Sequence, residues 1–151
     1  MKTTYAHLAD LRERVGDIVG TSDWVTVDQR RIDLFAQATG DHQWIHVDPQ
    51  RAAAGPFGTT IAHGFLTLSL IPEFAESAFA FADQRMGVNY GLNRVRFTAP
   101  VPVDSRLRAR FRLIGYEDIA GGAQLTVEVT IEREGQPKPV CVAESLSRRY
   151  V

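Results

Sequence analysis

Apolar positions recur along the chain with two different periods, and the change of period falls near residue 85. In the first half the spacing is helical. Leu8, Leu11 and Val15, with charges between them, predict a short outer helix over 4–14. Gly16 and Gly20 then turn the chain into a strand over 22–27, where the alternation around Trp24 suits a half-buried position. Thr26-Val-Asp28 opens a stronger helix, capped by Thr26 or Asp28, striped by Ile32, Leu34, Phe35 and Ala38 and ended by Gly40. Residues 41–49 are therefore held at a helix exit and are not free linker. Gly55-Pro-Phe-Gly58 is a turn cluster. After it, Thr59 or Thr60 caps a second helix through Ile61, Phe65, Leu68 and Leu70, with a kink at Pro72 and a continuation over 73–81. This helix is apolar on most sides, the mark of a helix that the rest of the molecule wraps.

The second half alternates with period two. Val88, Tyr90 and Leu92 stand against Asn89, Gly91 and Asn93 in a strand over 87–98, which Pro100 and Pro102 end. Leu107, Ala109, Phe111 and Leu113 share one face of the next strand, and Arg106, Arg108, Arg110 and Arg112 form a wet ladder on the other. Gly121-Gly122 makes a hairpin to 123–133, and Gly135-Gln-Pro-Lys138 turns into a last strand over 140–150. The expectation is an α+β chain, one domain over 1–151. A curved antiparallel sheet of about five strands wraps a central hydrophobic helix, which buries both.

Composition narrows the function. The chain has 151 residues and is 44% hydrophobic, enough for an ordinary core without staples. With 17 basic and 18 acidic residues the net charge is −1, so no clustered cationic excess supports nucleic-acid binding. The single cysteine, Cys141, rules out an internal disulfide and reads as a small core side chain in a strand. No secretory signal opens the sequence, and the apolar run near 61–71 is too short and interrupted to span a bilayer. A cytoplasmic protein with no membrane partner is expected.

The dense polar cluster is Thr39-Gly-Asp-His-Gln-Trp-Ile-His-Val-Asp48, followed by Ala62-His-Gly64. Asp41 and His46 can converge on one small pocket, where a carboxylate and an imidazole on either side of a water divide the work of general acid and base. Gly64 stands at the start of the buried helix, where an amide has no intrahelical partner and can hold a developing oxyanion. On spacing alone an aspartate after a helix-ending glycine is equally a cap, and a lone histidine a satisfied polar group. Asp41, His42, His46 and His63 match no metal-ligand spacing, so neither metal nor cofactor is expected. His42 and His63 read as structural, His63 as a partner for loop carbonyls and a neighbour of bound substrate. Asn89, Tyr90 and Asn93 lie on a strand near the site, within reach of a substrate arm or simply on a polar sheet surface.

The run Ala38-Thr-Gly-Asp-His-Gln-Trp-Ile-His-Val-Asp-Pro49 resembles the signature of the MaoC-like dehydratases, Ser/Thr-Gly-Asp-x-Asn-Pro-aliphatic-His-x-Asp. Ile61-Ala-His-Gly-Phe65 and Phe97-Thr-Ala-Pro-Val101 resemble two further elements of that family, in order and at family spacing. The resemblance implies a hot-dog fold, dimeric or higher, with its site at a subunit interface. It gives Asp41 and His46 the water-activating and proton-donating roles, and makes the Gly64 amide the oxyanion donor. The implied reaction is (R)-specific hydration of a trans-2-enoyl thioester, carried on coenzyme A or acyl-carrier protein, and its reverse. A hot-dog thioesterase and a non-catalytic acyl-thioester-binding module are the alternatives. Two departures from the pattern involve three positions. The family's Asn-Pro is Gln43-Trp44 here, so Gln43 keeps a hydrogen-bonding side chain and Trp44 becomes a wall for the acyl pocket. A serine that some relatives use falls at Pro72.

Overall fold

The computed structural model describes residues 1–151. Three residues, Thr3–Tyr5, form strand β1, and Leu8–Arg14 form a 3₁₀ helix. Leu8 and Leu11 are buried but Val15 is exposed, which corrects the expected α-helical stripe. In a 3₁₀ helix positions i and i+3 eclipse, so Leu8 and Leu11 share a line and Val15 falls off it. The expected strand over 22–27 is two strands, β2 (Ile18–Thr21) and β3 (Val25–Val27), both paired with the same neighbour. Between them Ser22 ties the detour down: its amide donates to the Ala109 carbonyl and its hydroxyl accepts from the Ala109 amide.

Helix α1 spans Gln29–Thr39. Asp28 is its cap, accepting from the Arg31 amide at 2.8 Å, while Thr26 lies in β3. Gly40 ends it in the left-handed region at φ 81°, where a residue without Cβ is at ease. Two short helices follow, α2 (Trp44–Val47) and α3 (Pro49–Ala53). The central helix comes in two pieces, α4 (Gly64–Ser69) and α5 (Ile71–Ala78), joined at Leu70 with Pro72 in the first turn of α5. It starts at Gly64 because the preceding residues are held extended. The Ile61 amide donates to Ile45 O and the Ala62 amide to Val101 O, while the Thr60 hydroxyl turns away to Gln29. It stops at Ala78, and Phe79–Phe81 form strand β4, parallel to β1, where a helical continuation was expected.

Strands β5 (Met86–Phe97), β6 (Ser105–Ile119), β7 (Gly122–Arg133) and β8 (Cys141–Tyr150) complete the molecule. The antiparallel sheet runs β2-β6-β7-β8-β5, with β3 also on β6. Leu107, Ala109, Phe111 and Leu113 of β6 are buried, facing Phe74 and Ala78 of α5 and Leu8 and Leu11 of the 3₁₀ helix in one core cluster. The arginine ladder lies outside, opposite glutamates: Arg108 faces Glu132 and Arg112 faces Glu128 across the strands. Strand β5 is different. It is an edge, paired only with β8, and nearly every one of its residues is exposed.

Candidate active site

Three elements bring the polar cluster together. Gly40 turns the chain out of α1, so Asp41 is the second residue of a tight exit, and its carboxylate accepts from the Gln43 amide at 3.3 Å. His46 is carried by α2 and is buried; His63 directly precedes α4 and is buried as well. Their rings stack with centroids 3.8 Å apart and planes inclined by 25°. One polar side-chain atom from each of Asp41, His46 and His63 lies within 4.8 Å of the other two. Asp41 is exposed and the two imidazoles are not, so the trio forms a mouth with one open lip. It is also the one group in the chain placed to ligate a metal ion, although the spacing in sequence matched no metal motif.

Backbone carbonyls fix both imidazoles. His46 Nδ1 lies 2.7 Å from Ile61 O, and His63 Nε2 lies 3.0 Å from Asp41 O. A carbonyl only accepts, so each of these nitrogens carries the proton of the neutral ring. In the neutral ring the other nitrogen, Nε2 of His46 and Nδ1 of His63, is the acceptor, and His63 Nδ1 is buried without a partner. Burial pushes the His46 imidazole below its usual range, and His63 beside it acts in the same direction. The Ile61 carbonyl and Asp41 pull it back up by less. His46 is thus held neutral at physiological pH, as a base must be before it acts.

Sequence reasoning missed Gln29. Its amide donates to the His46 carbonyl at 2.8 Å and to Asp33 at 2.9 Å, and its oxygen accepts from Thr60 at 2.6 Å. One side chain therefore locks α1, α2 and the approach to α4 together. No sequence signal marks it, because Asp33 is an ordinary neighbour four residues on in α1, while His46 and Thr60 lie at separations that only the fold brings close.

Gly64 is the first residue of α4, with an amide free of intrahelical partners. A Cβ there would lie 2.9 Å from the Phe97 ring, so the missing side chain makes room for Phe97 of β5. Phe65, expected in the helix's buried stripe, is exposed and meets Phe97 edge-on at 6.0 Å. Gln43 sits at the start of α2 with an exposed side chain. Trp44 packs on Gly55 and under the Arg51 guanidinium, 4.4 Å from the ring centre. Asn93 is tied to Glu144 at 2.7 Å, and Tyr90 lies under Arg148 at 3.8 Å. Asn89 lines a cavity between β5 and the central helix. Ser69, one turn before Pro72, spends its hydroxyl on the Leu66 carbonyl. Cys141 is fully buried, its thiol pushed up to about 11, which suits a core residue and not a nucleophile.

A curved antiparallel sheet around one central helix, with a carboxylate and two imidazoles gathered at that helix's first turn, defines a hot-dog-fold protein with one polar site at the start of its helix. Residues 10–135 match the model of the MaoC-like domain. The chain is 58% identical over 146 residues to 3-hydroxyacyl-thioester dehydratase Z of Mycobacterium tuberculosis, covering 96% of this chain and 97% of that protein. It is 52% identical over 140 residues to nodulation protein N of Rhizobium leguminosarum bv. viciae, covering 90% and 86% respectively. Among solved structures, R-hydratase PhaJ1 from Pseudomonas aeruginosa superposes with a TM-score of 0.73 at 23% identity, covering 96% of this chain and 86% of that one. The chain belongs to the MaoC-like dehydratase family. It is an enzyme of the hydro-lyase type, which stands in place of the thioesterase and the binding module that the sequence left open.

Proposed function

We propose that the chain catalyses the reversible addition of water to a trans-2-enoyl thioester of coenzyme A or acyl-carrier protein, giving the (R)-3-hydroxyacyl thioester. The observation that carries this reading is the meeting of the Asp41 carboxylate with the bare, neutral His46 Nε2 beside the first amide of the central helix. Both groups accept hydrogen bonds, so a water between them is held by its two protons with its oxygen lone pair free. As that oxygen bonds to C3, the pair takes one of its protons. The C2–C3 π electrons move toward the thioester carbonyl, and the enolate oxygen is held by the Gly64 amide. The pair then returns a proton to C2, so water is added and the protein is unchanged. Gln43 and Trp44 border the mouth, His63 sets its back wall, and Asn89, Tyr90 and Asn93 lie on the β5 side of the substrate's path. The R configuration follows the relatives whose printed names specify R-hydratases.

The reaction needs no metal or redox partner in this scheme. The proposed enzyme works as a homodimer or a higher assembly, because β5 leaves a twelve-residue edge with Val88, Tyr90 and Leu92 exposed, and a second copy of β5 covers it. The lone, buried Cys141 fits a cytoplasmic, reducing setting.

The test follows the absorbance of the conjugated thioester when purified, EDTA-dialysed protein meets crotonyl-CoA or a longer enoyl-CoA. Loss of absorbance without free thiol, with R product on chiral analysis, is expected. Thiol release, or activity that returns only with added metal, would overturn the scheme.

A further inference from the structure

The inward face of β8 changes character along its length. Cys141 and Ala143 are buried in the core. Ser145, Ser147 and Arg149, next on the same face by the two-residue alternation, line a cavity of about 390 Å³ between α5 and the sheet. That volume is within the range of small-molecule sites. Its other walls mix apolar side chains, among them Ile71, Pro72 and Ala75 of the helix and Leu125 and Val127 of β7, with the polar Lys2, Glu76, Gln84 and Asn89.

Arg149 is the anomaly. Its only side-chain hydrogen bond is from Nη1 to Gln84 Oε1, at a long 3.4 Å, and its Nε is buried without a partner. Loss of hydration alone pushes its guanidinium down from its ordinary range, and no neighbouring acid pulls it back. The remaining charges around the cavity, Lys2 and Glu76, are spent on each other at 2.9 Å. Gly87 makes room for the group, since a Cβ there would lie 2.6 Å from Arg149 Nη1. A cation withdrawn from water with donors unspent is costly unless an anion meets it.

The cavity continues along the central helix to Leu68, one turn from Gly64. A second cavity shares Ile71, Pro72, Asn89 and Ser145 with the first and extends past Ser69 and Leu68 toward Gly64. Gly64, Leu68, Pro72 and Ala75 follow one another at helical spacing, as a single stripe on one side of the helix. From Gly64 to Ala75 the stripe is roughly 16 Å long at the ordinary helical rise. A linear chain with its thioester at Gly64 would therefore lie along α4 and α5 and end beside Arg149.

We infer that the enoyl thioester this enzyme takes carries a carboxylate at the far end of its acyl chain, and that Arg149 is the residue that selects it. This rests on the hydratase reading above. Guanidinium matches a carboxylate fork to fork, which a methyl-ended chain cannot offer. The methyl-ended chain would leave the partly buried Arg149 without an anion and its Nε unpaired, so discrimination of roughly tenfold to a hundredfold is expected.

The experiment compares matched pairs of trans-2-enoyl-CoA substrates, one ending in methyl and one in carboxylate, over increasing chain length. At the length that reaches Arg149, kcat/KM should favour the carboxylate-ended member by at least tenfold. Arg149→Met should erase that preference while keeping crotonyl-CoA hydration, and Arg149→Lys should keep part of it. Calorimetric binding of the saturated pair, decanoyl-CoA against the mono-CoA thioester of decanedioic acid, reads the same preference in wild-type protein without turnover. Equal or weaker binding of the carboxylate-ended thioester at every length would overturn the proposal, whether or not the variants fold. Tighter binding of it with no hydration of any enoyl-CoA would sink the hydratase reading and leave the Arg149 site standing.

Discussion

At the scale of single residues, the site depends on which nitrogen of each imidazole is bare. His46 donates from Nδ1 to Ile61 O, so Nε2 is the atom left to work in the proposed mechanism, where its charge state would control the rate. Asp41→Asn and His46→Gln should each lower turnover by roughly 10²–10⁴-fold with near-normal folding. A loss of solubility or assembly in either variant would mark the residue as structural. The pH dependence has a definite sign. Because burial depresses the His46 pKa below 6.5, the acid limb of kcat/KM should lie below pH 6.5. The unfolded chain binds this proton more readily than the folded one. His46 therefore lowers stability as pH falls from about 6.5 through its folded value and has no effect above that window. A pH–rate profile whose acid limb sits above pH 7 would contradict the assignment.

At the scale of elements, Gly40 and Asp28 cap opposite ends of α1 but differ in what depends on them. Nothing lies within 4 Å of a Cβ at Gly40, so only its φ of 81° resists a side chain. Gly40→Ala and Asp28→Ala should each cost about 1 kcal/mol in urea unfolding. Only Gly40→Ala should also lower turnover, since Asp41 leaves the helix through that residue. Equal turnover in both variants would show that the exit does not position the carboxylate. These caps were legible in the sequence, as were the four long strands and the facing of Leu107, Ala109, Phe111 and Leu113, because each rests on local chemistry or strict alternation. The meeting of Asp41 with His46 was legible too. What was not legible was decided by distant partners. Thr59 and Thr60 look like caps, but hydrogen bonds from Ile61 and Ala62 to Ile45 and Val101 keep the chain extended until Gly64. Phe79–Phe81 continue a helical pattern, yet pairing with Thr3–Tyr5 makes them a strand. Gln29 and Arg149 carried no signal, since neither distant polar partners nor an unpaired Nε show in a string of letters.

At the scale of the molecule, the unfinished part is β5. A long edge with apolar side chains exposed is an invitation to another strand, and the proposed partner is a second copy. Sedimentation should give at least twice the mass of the chain, and the double variant Val88→Lys with Leu92→Lys should shift it toward monomer. If the site is shared between copies, hydration should fall with the dimer. A wild-type protein that sediments as monomer with full activity would remove the interface from the proposal. The same strand supplies Phe97 over Gly64 and Asn89 to the cavity, so covering its edge also steadies one side of the substrate channel.

The two stacked imidazoles set a limit on what the site can store. With ring centres 3.8 Å apart and each ring's protonated nitrogen tied to a backbone carbonyl, a charge on one raises the cost of a charge on the other. The neighbouring ring therefore works with burial to keep His46 unprotonated, so in the proposed reaction the imidazole meets its water already free to take a proton.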